Sequence, residues 1–374
     1  MRLAYLSTDP GILHGGSKGA AVHLAEITSA LAAEGSEVLA LVAGIAPASH
    51  APPAGVTVEV LPGAGRGGIT DRLRIQGELT TWLVRRLQSF RPAALYERLA
   101  LHSAAGAGAA RRLGIPHLVE VNAPLPAEAK RYRSLEEPEL ADRLEGTVLS
   151  GADLVLPVSP PLADYVRVRG ARRIEILQNA AAIERFPQRR RSTGRRPVAV
   201  FAGSLRPWHG VDVIAAAWRL LGEAAPRLVV AGDGPARAML EGTRATLVGA
   251  VPPARMTALL ARADIGLAPY GADAPRYFSP LKVFEYLAAG LAAVVADLPA
   301  VRAVVGCDTA LLIPPGDAPA LAEAVAELAA DTARRRRLGE NGRALVTGGH
   351  TWRHRARRIV EATAELVRDR GAPA

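Results

Sequence analysis

The sequence predicts an α/β protein built as two doubly wound domains in tandem, and three observations lead there. Its 374 residues are too many for one compact core and suit two domains of ordinary size. Apolar residues make up 49% and charged residues 22%, the balance of a globular chain. Short apolar runs alternate with helical patterns almost throughout, which argues for parallel strands with helices on both faces. No short internal repeat is present, so a solenoid is set aside.

In the first half, Leu3–Leu6 reads as a strand, followed by a glycine-bearing loop and a helix from about Ala20 to Ala33. Glu37–Val42 and Val56–Val60 are the next strands. A helix from about Thr70 to Ser89 leads into Ala94–Tyr96, and one over Ser103–Leu113 leads into His117–Val121, with Leu154–Val158 after it. Beyond Phe186-Pro187, the polar basic stretch Gln188–Arg196 lacks apolar periodicity and reads as a linker. The second half repeats the logic. Its strands are Val198–Ala202, Arg227–Ala231, Ala245–Val248, Ile265–Ala268, Ala293–Ala296 and Ala310–Ile313, and three helices run from about Pro319 to Arg368. The expected division is 1–187, 188–350 and a terminal helix over 351–374. In such sheets ligands sit beyond the carboxyl ends of the strands.

Composition narrows the function classes. Cys307 is the only cysteine, so no intramolecular disulfide or cysteine-based zinc site can form within the chain. Aromatics at 4% count against a stacking surface for single-stranded nucleic acid. The longest nearly apolar run, Leu287–Ala296, is far short of a membrane span, and MRLAYLSTDPG has too brief an apolar stretch for a signal peptide. A cytoplasmic protein is expected. The net charge of +10 is uneven: residues 1–185 carry +1 and residues 186–374 carry +9. Much of that excess falls on the terminal helices, in Arg334–Arg337 and Arg353–Arg358, where arginine usually forms a solvated face. Charge without a reading motif gives no case for nucleic acid.

Polar and glycine-rich signals collect just after the strands of the second half. Gly203-Ser204-Leu205-Arg206-Pro207-Trp208-His209-Gly210 follows the first strand, Gly232-Asp233-Gly234-Pro235 the second, Gly249-Ala250-Val251 the third and Pro269-Tyr270-Gly271 the fourth. One glycine after a strand usually only makes a turn; four such loops on one sheet outline a nucleotide-sized mouth. The fullest segment is Tyr277-Phe278-Ser279-Pro280-Leu281-Lys282-Val283-Phe284-Glu285-Tyr286-Leu287-Ala288-Ala289-Gly290. Ser279 is expected as N-cap and Pro280 as first helical residue. The amides of Leu281 and Lys282 then face forward with the positive end of the helix, which suits a phosphate. Lys282 adds a full charge, and Glu285 can accept two hydrogen bonds from a diol such as ribose. A capped surface helix with an ordinary Lys–Glu pair explains the same residues equally well.

The segment resembles the nucleotide-sugar motif of family 4 retaining glycosyltransferases, whose GT-B fold sets two Rossmann-like domains across a cleft. The resemblance extends over the chain, from the Gly15-Gly16-Ser17-Lys18-Gly19 loop through Gly203–Gly210, Gly232–Pro235 and Ser279–Gly290 to Thr351-Trp352 before the last helix. It implies a second domain that binds the donor, a first domain that binds the acceptor, and a final helix crossing back to the first domain. Glu285 matches the second glutamate of the family's E-x7-E motif, which binds the ribose hydroxyls. Tyr277 stands where the first glutamate is expected. In the basic loop, Ser204 and His209 occupy the usual arginine and lysine places, so Arg206 is the first expectation for the diphosphate ligand and His209 the second. Asn122 stands where the family often has a histidine near the donor sugar.

The expected function is retaining transfer from a UDP-, GDP- or dTDP-type sugar to a small-molecule or lipid-linked acceptor, without a metal or other cofactor. Arg206, Lys282 and Asn122 are the expected catalytic residues. Gly16, Gly203, Ser204, His209, Gly232, Gly249, Val251, Ser279, Pro280, Leu281 and Glu285 are the expected donor contacts. A soluble acceptor is favoured, with weak membrane contact at most, because the first half is nearly neutral. Two other classes compete. Gly15-Gly16-Ser17-Lys18-Gly19 spells the G-x-S-x-G of a serine hydrolase, although that elbow needs the serine directly between strand and helix. A basic polyanion-binding protein is the other.

Overall fold

The computed structural model describes residues 1–47, 51–63, 76–132, 134–187, 196–277 and 279–371. The chain divides into two compact units, one of Met1–Gln178 with Trp352–Ala374 and one of Asn179–Thr351. Each is built on a six-stranded parallel sheet.

In the first unit, β1 (Arg2–Ser7), β2 (Glu37–Val42), β3 (Val56–Val60), β4 (Ala94–Arg98), β5 (His117–Val121) and β6 (Leu154–Pro157) lie in the order β3-β2-β1-β4-β5-β6. The central strands are buried on both faces, as their unbroken Leu, Val and Ala runs require. Helices α1 (Gly19–Ala33), α2 (Gln76–Phe90), α3 (Ala105–Leu113), α4 (Leu125–Tyr132), α5 (Pro138–Gly151) and α6 (Pro160–Val168) make up the rest. The expected start of α2 at Thr70 lies outside the described residues. The sheet order reverses between β1 and β4, and that switch point is where doubly wound sheets bind ligands.

The second unit has the same topology. Strands β7 (Val198–Ala202), β8 (Arg227–Ala231), β9 (Thr246–Gly249), β10 (Ile265–Ala268), β11 (Ala292–Ala296) and β12 (Ala310–Ile313) follow the order β12-β11-β10-β7-β8-β9. Its switch point lies between β7 and β10. Helices α7 (Val211–Leu221), α8 (Pro253–Leu260), α9 (Leu281–Ala288), α10 (Pro299–Arg302), α11 (Ala318–Ala330) and α12 (Thr332–Gly349) complete it. Asp317 caps α11 through the amide of Ala320, and Asp331 caps α12 through that of Arg334, both at 2.8 Å.

The unit boundary falls after Gln178, nine residues before the sequence-based one. The reason is local bonding. Asn179 and Ala181 are tied to second-unit groups, the latter through its amide to the carbonyl of His350 at 3.1 Å, and Phe186 packs in the second core. Residues 188–195 of the expected linker lie outside the described residues.

The last helix, α13 (Trp352–Gly371), returns to the first unit and packs on α1. Ala356, Ile359, Ala362 and Leu366 form its buried stripe, and Trp352 meets His23 edge-on at 4.8 Å between ring centres. Three of the arginines expected on a solvated face are also paired. Arg353 and Arg357 both reach Glu34, just past α1, at 2.8 and 2.7 Å, and Arg358 holds Glu175 in a two-point pair. Exposed pairs of this kind contribute about 0–1 kcal/mol each, so the apolar stripe holds the helix and the charges set its register.

One side chain ties the second unit's switch point together. The hydroxyl of Tyr286, fully buried on α9, donates to the carbonyl of Leu267 on β10 at 3.2 Å and accepts from the amide of Ala202 on β7 at 2.8 Å. Tyr286→Phe would leave both backbone groups buried without this partner. Unfolding of the second unit in urea should then show a loss of about 1–3 kcal/mol. An unchanged midpoint would mean that the hydroxyl is not needed there.

Candidate active site

The loops after β7, β8 and β10 come together because their backbones touch. A Cβ on Gly232 would stand 1.8 Å from the carbonyl oxygen of Gly203, and one on Gly210 would stand 2.8 Å from the amide of Tyr270. Both glycines also have positive φ, 151° and 72°. Any larger residue would push the rim apart.

Lys282 enters this rim from the first turn of α9. Its stem is half-buried, but Nζ is closed off from solvent and has no hydrogen-bond partner. It lies 4.1 Å from the centre of the Phe201 ring and 5.5 Å from that of Tyr270. A Cβ on Gly203 would come within 2.9 Å of it, so that glycine leaves the room the ammonium occupies. Desolvation lowers the Lys282 pKa to about 7, with Glu285 opposing the shift.

His209 stands beside it. The ring Nδ1 is 2.6 Å from the carbonyl oxygen of Ser204, which can only accept, so Nδ1 carries the proton and Nε2 keeps its lone pair. Ser204 Oγ is 3.4 Å from the same nitrogen. Burial, then the positive charges of Lys282 and Arg206, press the His209 pKa down to about 3. Arg206 is exposed, its guanidinium 5.9 Å from the centre of the Trp208 ring. Two expected phosphate ligands, Arg206 and Lys282, thus act on one imidazole. Glu285 is half-buried one turn beyond Lys282.

One expectation changes in the structure, and two other residues show a local setting of their own. Ser279 does not cap α9: the helix begins at Leu281, Pro280 precedes it, and no side chain caps it. Asn179 occupies Ser279 instead, its amide donating to Ser279 Oγ at 3.1 Å and its Nδ2 to the Ser279 carbonyl at 2.5 Å. The amides of Leu281 and Lys282 still lack intrahelical acceptors. Gly16 is small because of its own loop, since a Cβ there would meet Leu13 O at 3.1 Å and the Ala21 methyl at 3.2 Å. Val251 has a further setting in this unit. With Val198, Val200, Val229 and Val248 it lines a groove of about 720 Å³ between the β7–β9 face and α8, which none of Gly203, His209, Gly232 and Lys282 lines. The edge strand β9 turns there toward α8. Gly249 stays with the rim, its carbonyl accepting from the amide of Gly232 at 2.7 Å.

In the first unit, Asn122 Nδ2 donates to Glu120 Oε1. Glu120 is a hub that the sequence reading passed over. It also meets His23 Nε2 and Arg98 Nη1, each at 2.7 Å, and Tyr96 OH. Burial opposes its charge, but His23, Arg98 and Tyr96 outweigh that and hold its pKa at about 2. A second pair, His117 with Glu97, lies buried at 2.7 Å. The signal was present: a carboxylate inside a strand buried on both faces must have partners. Ser17 is exposed and separated from the end of β1 by residues 8–16, which is not the geometry of a nucleophile elbow. Among the described residues no group of three or more His, Cys, Asp or Glu could hold a metal ion, and no helix is long and apolar enough to cross a membrane.

Known proteins bear on this arrangement. A family model described as glycosyl transferases group 1 matches residues 196–331, and one described as glycosyl transferase 4-like domain matches residues 18–182. No curated protein sequence matches the chain. Among solved structures, sucrose-phosphate synthase from Thermosynechococcus elongatus is similar at 19% identity and a TM-score of 0.76, with 98% of each chain covered. A glycosyltransferase from Rickettsia africae has 12% identity and a TM-score of 0.73, again over 98% of each chain. Anabaena HepE in complex with UDP has 17% identity and a TM-score of 0.72, over 98% of this chain and 100% of its own. At these identities the structures speak for the fold, and the two family matches speak for the chemistry. Taken together, they show that this chain belongs to the GT-B glycosyltransferases of the family 4 type.

Proposed function

We propose that the enzyme transfers a sugar from a nucleotide diphosphate donor with retention of configuration, without a metal ion. The observation that carries this reading is the ammonium of Lys282, buried without a hydrogen-bond partner at the switch point of the second sheet. A departing diphosphate needs fixed positive groups aimed at it before reaction begins. Lys282, Arg206 and the amides of Leu281 and Lys282 supply them, with His209 as a further ligand. Glu285 takes the ribose hydroxyls, and the backbone around Gly203 and Gly232 admits the phosphates closely. Anabaena HepE, the similar structure named above, has been solved with UDP-glucose, which supports a nucleotide-sugar donor.

Retention follows from the family type, through attack on the face from which the diphosphate leaves and with no enzymatic nucleophile. Asn122, whose side-chain amide donates to Glu120, is the first unit's catalytic residue in this reading. The acceptor in this reading is a soluble small molecule handled in the cytoplasm. The near-neutral charge of residues 1–185 supports that, because anionic lipid attracts basic surfaces.

Removing one fixed charge from the leaving group typically raises the barrier by about 3 kcal/mol, roughly a hundredfold in rate. Lys282→Ala and Arg206→Ala should each lower turnover by about that factor. Glu285→Ala should chiefly raise the donor's KM, since ribose contacts persist from ground state to transition state. Chelator should leave the rate unchanged, and activity restored only by magnesium or manganese would refute the metal-free mechanism. Near-normal turnover in both charge variants would place the phosphates elsewhere. Vesicles containing anionic lipid should sediment little protein at physiological salt. Strong co-sedimentation, lost on neutralising Lys130, Arg131, Arg133 and Arg143 together, would overturn the soluble acceptor. Of these four, Arg133 lies outside the described residues.

A further inference from the structure

We propose that the nucleotide diphosphate binds with uptake of a proton: Lys282 is largely neutral in the empty site at mildly alkaline pH and becomes charged as the phosphates arrive. This rests on the donor-site reading above and adds how that site is controlled.

Lys282 Nζ is enclosed by the Phe201 ring from β7, the Tyr270 ring from the loop after β10 and the backbone at Gly203, with no hydrogen-bond acceptor. The acidic group acting on it is Glu285, from its own helix. Ring faces stabilise a cation less than lost water destabilises it, and its pKa falls to about 7. His209 is fixed by the hydrogen bond from Nδ1 to the Ser204 carbonyl. It faces Phe201, Trp208 and Tyr270 as rings, and Lys282 and Arg206 as charges. A proton on Nε2 would add a cation beside two others, and its pKa falls to about 3.

A diphosphate reverses the balance at Lys282. It supplies acceptors to Nζ, and its negative charge favours the ammonium form. What favours the protonated group when ligand is bound must, by linkage, make the ligand bind more tightly when that group is protonated. Affinity should therefore fall as pH rises above the empty-site value of Lys282. The nucleotide's own last phosphate proton leaves near pH 6, so it does not contribute above pH 7.5.

The test is calorimetry at pH 8 in buffers of different ionisation enthalpy, with UDP, GDP, dTDP and ADP each tried as ligand. The tightest binder should take up close to one proton, and its Kd should weaken about eightfold from pH 7.5 to 8.5. Lysines occur only at positions 18, 130 and 282, so labelling lysine with 13C at Cε gives three resonances. The one lost in Lys282→Arg should be amine-like in the free protein at pH 8 and ammonium-like with nucleotide. Binding with less than about half a proton taken up, or a Lys282 resonance already ammonium-like in the empty enzyme, would overturn the inference and leave the donor site standing. Absence of binding by every nucleotide and by pyrophosphate from pH 6 to 9 would remove the donor site, and the inference with it.

Discussion

Much in the second unit follows from holding the side-chain nitrogen of Lys282 out of water without a hydrogen-bond acceptor. Lys282 can sit at the carboxyl ends of β7 and β10 only because α9 is docked there by the bonds of Tyr286 to both strands and by Asn179 on Ser279. Gly203 then has to be a glycine, since a side chain would enter the space of Nζ. The empty site carries a stability penalty. Because the folded pKa of Lys282 lies below its unfolded value, the protein gains stability as pH rises from about 7 toward 10.5, and the full penalty applies below that window. A group that destabilises the resting fold and finds its partners only in a ligand is a common trade between stability and function.

The first unit handles buried charge in the opposite way. Glu120 lies in the middle of its sheet with every neighbour arranged to support the carboxylate: His23 from α1, Arg98 and Tyr96 from β4, and Asn122 just past β5. Its stabilising effect is present above the ordinary carboxylate range and would be lost as pH falls toward about 2. The two units share a topology and differ in electrostatics. One keeps a satisfied network at its switch point, the other a desolvated amine without a hydrogen-bond acceptor.

The basic excess has an explanation that charge counting alone did not reach. Arg353, Arg357 and Arg358 look like a patch for a polyanion, yet α13 lies against acidic partners contributed by the residue just past α1 and by the segment after α6. Arg355, half-buried between them, donates a hydrogen bond from Nε to the carbonyl of Gln178, and desolvation lowers its pKa to about 10. These arginines serve the return of the last helix to the first unit, and they leave little for an outside polymer.

Legible in the sequence alone were the two doubly wound domains, nearly every strand, and the loops that line the second sheet's carboxyl edge. Those features are written in local periodicity and in glycines placed just after apolar runs, which act over a few residues. Arg206, His209, Lys282 and Glu285 were legible for the same reason, as polar residues in such loops or on the helix that follows them. Tertiary structure alone decided the rest. It put Asn179 on Ser279, a hundred residues away in sequence, and so displaced the expected cap. It set Val251 on the groove beside α8 and showed Gly16 crowded by its own loop. It also took the water away from Lys282 and His209, so that ordinary basic residues became neutral ones. Residue type sets what a side chain can do; desolvation and long-range partners, which no local pattern encodes, set which protonation state it holds.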